Sequence, residues 1–144
     1  MSGEAHYRKL ERLYLSAPTN EYYRPSIRVE RGRAEIEIAV KQDFFHAAHA
    51  VHGSVYFKAL DDAAFFAVNS LVERVFVLTA SFTVHLLRPV SEGVLRATGH
   101  VVHRSRRVYV AESELTDDEG EQVARGSGIF MRSRIALGPE VGYR

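Results

Sequence analysis

The chain has 144 residues, a length at which one domain buries about 70% of the surface that its unfolded chain would expose. Apolar residues make up 46% and charged residues 26% of the sequence, which excludes a disordered or fibrous chain. Nineteen Lys and Arg residues oppose eighteen Asp and Glu residues, and the net charge of +1 argues against a general nucleic-acid binder. Because cysteine is absent, disulfides, thiolate zinc sites and a catalytic thiol are excluded.

The N-terminal segment lacks the uninterrupted apolar run of a signal peptide, and no window of the sequence approaches the roughly eighteen apolar residues of a membrane span. We therefore expect a cytoplasmic protein that has no membrane as a partner. Four apolar side chains of this segment recur at helical spacing: Tyr7, Leu10, Leu13 and Tyr14. This spacing predicts an amphipathic helix over residues 3–15, ended by Pro18 and Asn20, within an N-terminal helical extension over residues 1–20.

The rest of the chain alternates between strand-like runs and one long helical segment. Residues 22–29 look extended, and the alternation over residues 34–40 predicts a hairpin with one buried face. Residues 54–73 contain neither Gly nor Pro and predict a buried central helix. Three to four strand-like runs follow, over residues 75–87, 94–103, 107–115 and 122–131. Their short links favour antiparallel neighbours, which predicts a single α+β domain with about five to six strands and a loose tail over residues 137–144.

The predicted central helix carries two adjacent carboxylates, Asp61 and Asp62, on different faces. Residues four apart share a helical face, so Lys58 is the expected charge partner of Asp62. Asp61 instead shares a face with Phe65 and other apolar residues, where an ionised carboxylate lacks a local partner and has a desolvation cost. Two interpretations stay open at this point. Asp61 either pairs with a distant Arg or faces solvent, or it has a chemical role.

The position of Gly53 favours a chemical role for Asp61. Gly53 lies eight residues before Asp61, about 12 Å along an α-helix, so the two residues of one chain cannot act on the same atom. If two central helices packed antiparallel across a two-fold axis, Asp61 of one copy would approach the helix start of the other. Unpaired backbone N–H groups and the positive end of the helix dipole could stabilise an oxyanion there. This arrangement predicts an obligatory dimer with two sites.

The segment HGSVYFKALDDAAFFAVNS, residues 52–70, resembles the HGG-x(7)-D helix of hotdog-fold acyl-CoA thioesterases, in particular the phenylacetyl-CoA (PaaI-like) type. The resemblance extends from about Ile36 to Arg132, and Pro89 and the later Arg-Arg and Asp-Glu-Gly turns fall where this family has them. It implies a hotdog fold, in which an antiparallel sheet wraps the central helix. It also implies hydrolysis of an acyl-CoA to a carboxylic acid and free coenzyme A, without metal or cofactor. Dimers of such proteins often associate into tetramers.

The resemblance also implies roles for individual residues. Gly53 would give its backbone N–H to the thioester carbonyl, and His52 would shape the loop just before it. Asp61 of the opposing chain would either attack the carbonyl or activate a water as general base, and both roles stay open. Thr79 falls where some relatives have a Ser or Thr that helps to place the water.

The sequence departs from the family pattern at three positions. His46 stands where the family commonly has Asn, His49 where it has Gly, and Ser54 where it has the second Gly of the motif. An imidazole has a donor and an acceptor and could still orient a water, but its geometry differs from that of an amide, so activity could be altered or lost. Ser54 keeps its backbone N–H and can cap the helix at the substrate-binding end.

His46, His49 and His52 also form an H-x-x-H-x-x-H pattern. Helical spacing would place the first and third on different faces, so we favour the polar lining of a pocket and expect no metal. The chain has no G-x-S-x-G elbow and no phosphate-binding glycine loop. Five phenylalanines are interpreted mainly as core or dimer contacts, with one or two able to line an acyl channel: Phe44, Phe45, Phe57, Phe65 and Phe66.

Arg104, Arg106 and Arg107 cluster in a predicted turn. They form either a solvated hairpin tip or a site for the phosphates of coenzyme A, for which the fork geometry of Arg is suited. Three arginines without a recognisable reader motif do not indicate a nucleic-acid partner.

Two other functions compete with thioester hydrolysis. A non-catalytic acyl-CoA-binding domain would follow if His46 and His49 had dismantled the water site. A hotdog hydratase or dehydratase would need a paired His and acidic residue that converge on the substrate. The sequence does not distinguish coenzyme A from an acyl carrier protein as the thiol carrier.

Overall fold

The computed structural model describes residues 3–144, in which one long helix packs against an antiparallel sheet. The helices are α1 (Gly3–Ser16), α2 (Asn20–Tyr23) and α3 (Gly53–Asn69). The strands are β1 (Ser26–Glu30), β2 (Arg33–Ala39), β3 (Val75–Leu86), β4 (Val94–Arg104), β5 (Tyr109–Thr116) and β6 (Gln122–Ala136). The predicted α+β arrangement with an antiparallel sheet is confirmed, and the described residues contribute six strands to it.

The strands lie in the order β1-β2-β4-β5-β6-β3, so β1 and β3 form the two edges of the sheet. α3 crosses one face of this sheet and packs most closely on β2, β4 and β5. Gly99 on β4 allows this close approach, because a Cβ at that position would overlap the backbone carbonyl of Ala63 on α3. The Ser113 hydroxyl on β5 donates a hydrogen bond of 2.8 Å to the carbonyl of Leu60 on α3. These contacts place α3 in the centre of the fold.

The side chain of Asn69 terminates α3 earlier than the sequence predicts. Its Nδ2 donates to the carbonyl of Val75 at 3.1 Å, and its Oδ1 accepts from the N–H of Val77 at 3.0 Å. A buried amide that is fully engaged with the next strand fixes the direction in which the chain leaves the helix. The helix therefore ends at Asn69 and not at residue 73, and β3 begins directly beside its last turn.

α1 covers the β1 edge of the sheet. The Arg8 guanidinium donates to the carbonyl of Val29 at 2.7 Å, and the N–H of Val29 donates to the Glu11 carboxylate at 2.8 Å. His6 anchors the start of the helix, because its Nε2 donates to the carbonyl of Asn69 at 2.9 Å and its Nδ1 accepts from the Tyr143 hydroxyl at 2.8 Å. The predicted helix over residues 3–15 is confirmed as α1, which is docked on the body of the fold, whereas residues 1 and 2 of the predicted extension lie outside the described residues.

Two local predictions are wrong. The C-terminal segment, residues 137–144, is not loose, because Leu137, Val141 and Tyr143 pack against the core and Tyr143 bonds to the buried His6. Residues 22 and 23, at the start of the segment predicted to be extended, are instead helical and belong to α2. Asn20 Nδ2 donates a hydrogen bond of 2.7 Å to the carbonyl of Tyr14, and this bond stabilises the turn between α1 and α2. Within residues 3–144, no helix has the length and apolar character needed to span a membrane.

Candidate active site

Asp61 lies on α3 at the wall of a cavity of about 280 Å³, here named the Asp61 cavity. The Thr79 hydroxyl on β3 donates a hydrogen bond of 2.9 Å to Asp61 Oδ1. Six apolar side chains contribute to the lining: Leu13, Ala17, Phe65, Phe66, Phe76 and Leu78. Asp61 and Thr79, two of the residues to which the sequence analysis assigns catalytic roles, are thus in direct contact beside an apolar space.

The neighbouring carboxylate has different surroundings. Asp62 Oδ2 lies 2.5 Å from Lys58 Nζ and accepts a hydrogen bond of 2.7 Å from the Tyr14 hydroxyl on α1. The predicted Lys58–Asp62 pair is confirmed. Burial raises the pKa of Tyr14 well above its usual value, and Asp62 raises it further, so the phenol stays protonated and donates. Asp62 is therefore a charge-compensated link between α1 and α3.

Within residues 3–144, Asp61 forms no ion pair with a cation, and this difference changes its acidity. The pKa of Asp61 is raised from 3.8 to about 6, chiefly by burial and to a smaller extent by the negative charge of Asp62. The Thr79 hydrogen bond and the Lys58 charge act in the opposite direction and lower the pKa. At neutral pH the carboxyl is therefore ionised, yet it is more basic than an ordinary aspartate.

The start of α3 is built by His52, Gly53 and Ser54. His52 is the N-cap residue, and its Nδ1 accepts a hydrogen bond of 3.0 Å from the N–H of Ser54. The Ser54 hydroxyl also lies 2.9 Å from His52 Nδ1. Within residues 3–144, the N–H of Gly53 has no hydrogen-bond acceptor. The first turn of α3 thus presents a free backbone donor at the positive end of the helix dipole.

The loop before α3 carries the other two histidines of the sequence pattern. His46 Nδ1 accepts from the N–H of Ala48 at 3.1 Å, and the His46 and His52 rings lie 6.5 Å apart between centroids. His49 has a φ of 68°, which is the left-handed region that favours glycine. The family commonly has Gly here, and the backbone conformation gives a physical reason. Among the described residues, no group of three or more His, Asp or Glu side chains is placed to hold a metal ion.

Gly53 and His46 line a second cavity of about 310 Å³, here named the Gly53 cavity. Asp61 and Thr79 do not line this cavity, and Gly53 and His46 do not line the Asp61 cavity. A single chain therefore presents the two halves of the expected site separately, as the helical spacing requires. Ser54 and the three arginines at positions 104, 106 and 107 are exposed to solvent, and none of them lines either cavity.

Sequence reasoning missed the contribution of α1 and of Phe76 to the Asp61 cavity. The helical spacing places Leu13 and Tyr14 on the apolar face of α1, but it does not indicate the surface against which that face packs. Tyr14 and Asp62 are 48 positions apart in the chain. No local signal in the sequence could have paired them.

A long helix wrapped by an antiparallel sheet is the arrangement that defines the hotdog class. The chain is similar to the PaaI protein of Escherichia coli from the phenylacetic acid degradation operon. The TM-score is 0.84 at 20% identity, and the match covers 93% of this chain and 97% of that one. The expected hotdog fold is thereby confirmed.

Sequence comparison identifies the family. The model of the thioesterase superfamily matches residues 48–124, which is more than half of the 144 residues. A protein of Saccharolobus solfataricus, provisionally named an esterase, is 27% identical over 76% of this chain and 79% of its own length. A second such protein, from Mycobacterium tuberculosis, is 30% identical over 65% of this chain and 69% of its own length. The chain belongs to the thioesterase superfamily.

Proposed function

We propose that the protein hydrolyses acyl-CoA thioesters to a carboxylic acid and free coenzyme A. The observation that carries this proposal is Asp61, a partly buried carboxylate that forms no ion pair within residues 3–144 and lies at the wall of a mainly apolar cavity. Its raised pKa of about 6 suits a general base or nucleophile that must be ionised near neutral pH. Membership of the thioesterase superfamily supports the same reaction.

A complete site needs a second copy of the chain. Antiparallel packing of two α3 helices across a two-fold axis would bring Asp61 of one copy to Gly53 of the other. The β3 edge supports this assembly, because beyond Val77 no residue of 3–144 supplies hydrogen bonds on its outer side. Exposed Leu78 and Leu86 on that strand and Phe57 on α3 add apolar surface. With a two-fold axis at this edge, the β3 strands of the two copies would be antiparallel to each other, and so would the two α3 helices. Further association into tetramers stays a prediction.

In the proposed reaction, Asp61 acts on the thioester carbonyl carbon by one of two routes. The carboxylate either attacks that carbon directly and forms an anhydride that water then hydrolyses, or it takes a proton from a water that attacks. In both routes the Gly53 N–H of the second copy stabilises negative charge on the carbonyl oxygen. The C–S bond breaks, and coenzyme A leaves as the thiolate and takes up a proton. Thr79 holds the carboxylate in position.

The histidines and arginines take supporting roles in this proposal. His46 and His52 each use Nδ1 as an acceptor within the loop, which leaves Nε2 as a donor in the neutral ring. His46 lines the Gly53 cavity and could orient the water there. The exposed Arg104, Arg106 and Arg107 would bind the phosphates of coenzyme A, while Ser54 would add a donor at the helix start. A cytoplasmic location stays a prediction.

A non-catalytic acyl-CoA-binding domain is the second candidate. The observation that favours it is the loop of residues 46–50, where His46 replaces the usual Asn and its Nδ1 is already occupied by the N–H of Ala48. A hydratase is less favoured, because no histidine lines the Asp61 cavity among the described residues. Binding of acyl-CoA without release of free thiol would identify the binding domain.

The test is a panel of acyl-CoA thioesters with colorimetric detection of the free thiol. Asp61→Asn should lower kcat/KM by roughly 10²–10⁴-fold, because it removes the base while keeping the shape of the side chain. Asp62→Asn is the matched control on the adjacent position and should change kcat/KM by less than about tenfold. Equal and mild losses in both variants would contradict the role of Asp61.

A further inference from the structure

The Asp61 cavity has a neighbour, and the two are separated by a shared wall. A cavity of about 440 Å³, here named the tail cavity, lies between the end of α1 and the C-terminal segment and is lined in part by Pro139 and Val141. Leu13, Ala17 and Phe76 line both cavities. We propose that the acyl group of the substrate occupies the Asp61 cavity and that Phe76 closes its far end, which makes Phe76 the residue that limits acyl length. This inference rests on the proposed function.

The lining of the Asp61 cavity supports an acyl occupant. Six apolar side chains share its lining with Asp61, and the other carboxylate there, Asp62, is paired with Lys58. An apolar chain attached to a carbonyl would match both the apolar lining and the reactive carboxylate. The volume of about 280 Å³ is just below the range of roughly 300–1,000 Å³ for drug-sized ligands. The space therefore suits an acyl group of limited length rather than a long fatty chain.

Phe76 packs against another aromatic residue of the Asp61 cavity. Its ring centroid lies 5.0 Å from that of Phe65 with an interplanar angle of 58°, and Phe65 itself lines the Asp61 cavity. Phe76 precedes Thr79 by three positions on β3, which corresponds to roughly 10 Å along a strand. Because the Thr79 hydroxyl contacts the Asp61 carboxylate, this length approximates the room between the reacting end and the wall.

Because the tail cavity lies on the other side of Phe76, the size of this side chain would determine whether the two cavities are connected. If the Phe76 ring were removed, the Asp61 cavity would open into the larger space beneath α1 and the C-terminal segment. A longer acyl chain could then extend past β3 toward Ile135 and Pro139. A larger side chain at Ala17, on the same wall, would have the opposite effect and shorten the space.

The experiment measures kcat/KM for butyryl-, octanoyl- and palmitoyl-CoA. Phe76→Ala should raise the ratio of palmitoyl to butyryl by at least roughly tenfold, a change of the size that methylene groups produce in an apolar pocket. Ala17→Leu should lower the ratio of octanoyl to butyryl. Phe82→Ala is the matched control, because Phe82 lies on the same strand but lines neither of these cavities. It should leave both ratios unchanged.

Calorimetric binding of non-hydrolysable S-alkyl-CoA thioethers of the same lengths provides a second readout. A wild-type protein that binds these thioethers with a length limit set by Phe76, yet releases no thiol from thioesters, would disprove the proposed function and support this inference. If Phe76→Ala does not fold, Phe76→Leu should give a smaller shift in the same direction. Length preferences that are unchanged in the folded Phe76 and Ala17 variants would overturn the inference, whatever the rate of hydrolysis.

Discussion

Asp61 and Asp62 are adjacent in the chain, yet the fold gives them different chemistry. Asp62 has a cation and a phenol as partners, while the one side-chain partner of Asp61 in the described part of the chain is the Thr79 hydroxyl. Burial then acts on Asp61 without a compensating ion pair and raises its pKa to about 6. The pair thus separates into a link between helices and a reactive acid.

The acidity of Asp61 predicts a pH profile that Thr79 controls. We expect kcat/KM to rise as Asp61 ionises, with an inflection at a pH of about 6. Thr79→Val removes the hydrogen bond that lowers this pKa and should move the inflection to higher pH. Thr83→Val, on the exposed part of the same strand, should not move it. An inflection that stays in place in the Thr79 variant would mean that another group titrates.

Asp61 should also reduce stability at the pH where it works. The pKa of Asp61 is higher in the folded chain than in the unfolded one. The contribution of the protonated carboxyl to folding stability is therefore complete below about pH 4, and it is lost as Asp61 ionises while the pH rises toward 6. Asp61→Asn should therefore raise the free energy of unfolding by about 1–3 kcal/mol at pH 8. Urea unfolding at pH 8 and pH 4 measures this gain, which should shrink at the lower pH.

The control for this measurement is Asp62→Asn, which breaks the contact with Lys58 and leaves the Tyr14 hydroxyl with a weaker acceptor. This variant should lose stability at pH 8. If Asp61→Asn also lost stability at pH 8, burial of the ionised Asp61 carboxylate would not be destabilising in the wild-type protein.

The residues of the site differ in how well they could be predicted. Helical periodicity is sufficient to place Lys58 beside Asp62 and to leave Asp61 on the apolar face, because both follow from spacing within one helix. The contact between Asp61 and Thr79 joins two elements, and only the family resemblance pointed to Thr79. The contact between Tyr14 and Asp62 had no signal at all, because packing between distant segments has no local pattern.

At the scale of elements, the prediction succeeded where one residue pattern repeats. The alternation in β2 and the continuous apolar character of α3 specify these elements over many residues. The C-terminal segment was misjudged because its order depends on long-range contacts, such as the packing of Leu137 and Val141 against the core and the hydrogen bond between Tyr143 and His6. Gly138 and Pro139 taken alone indicate a flexible tail, because the sequence does not show the long-range contacts that order it.

The loop of residues 46–50 stores backbone strain at His49. Its φ of 68° suits glycine, so His49→Gly should raise the free energy of unfolding by about 0.5–1 kcal/mol, after allowance for the greater freedom of glycine in the unfolded chain. Ala48→Gly is the control, because Ala48 does not have a positive φ, and it should lower stability by about 0.5–1 kcal/mol. Thermal unfolding measures both, and a destabilised His49 variant would indicate that the imidazole itself contributes contacts.

At the scale of the whole molecule, the two edge strands of the sheet differ in whether their outer backbone groups have hydrogen-bond partners. α1 satisfies the outer backbone groups of Val29 on β1 through Arg8 and Glu11. β3 is longer and, past Val77, has no comparable cover within residues 3–144. Exposed edges invite pairing with another chain. This asymmetry agrees with the dimer proposed from the separation of Asp61 and Gly53.

A site shared between two copies predicts complementation between two inactive variants. Asp61→Asn removes the acid, and Gly53→Pro removes the backbone donor while remaining compatible with the first position of a helix. In a mixed dimer, one site would combine the intact Asp61 of one chain with the intact Gly53 of the other. Random pairing makes half of the dimers mixed, so co-refolding equal amounts should restore about a quarter of the wild-type activity. If Asp61 and Gly53 instead served one site within a single chain, every site in the mixture would lack one of them, and activity would stay at the level of the separate variants.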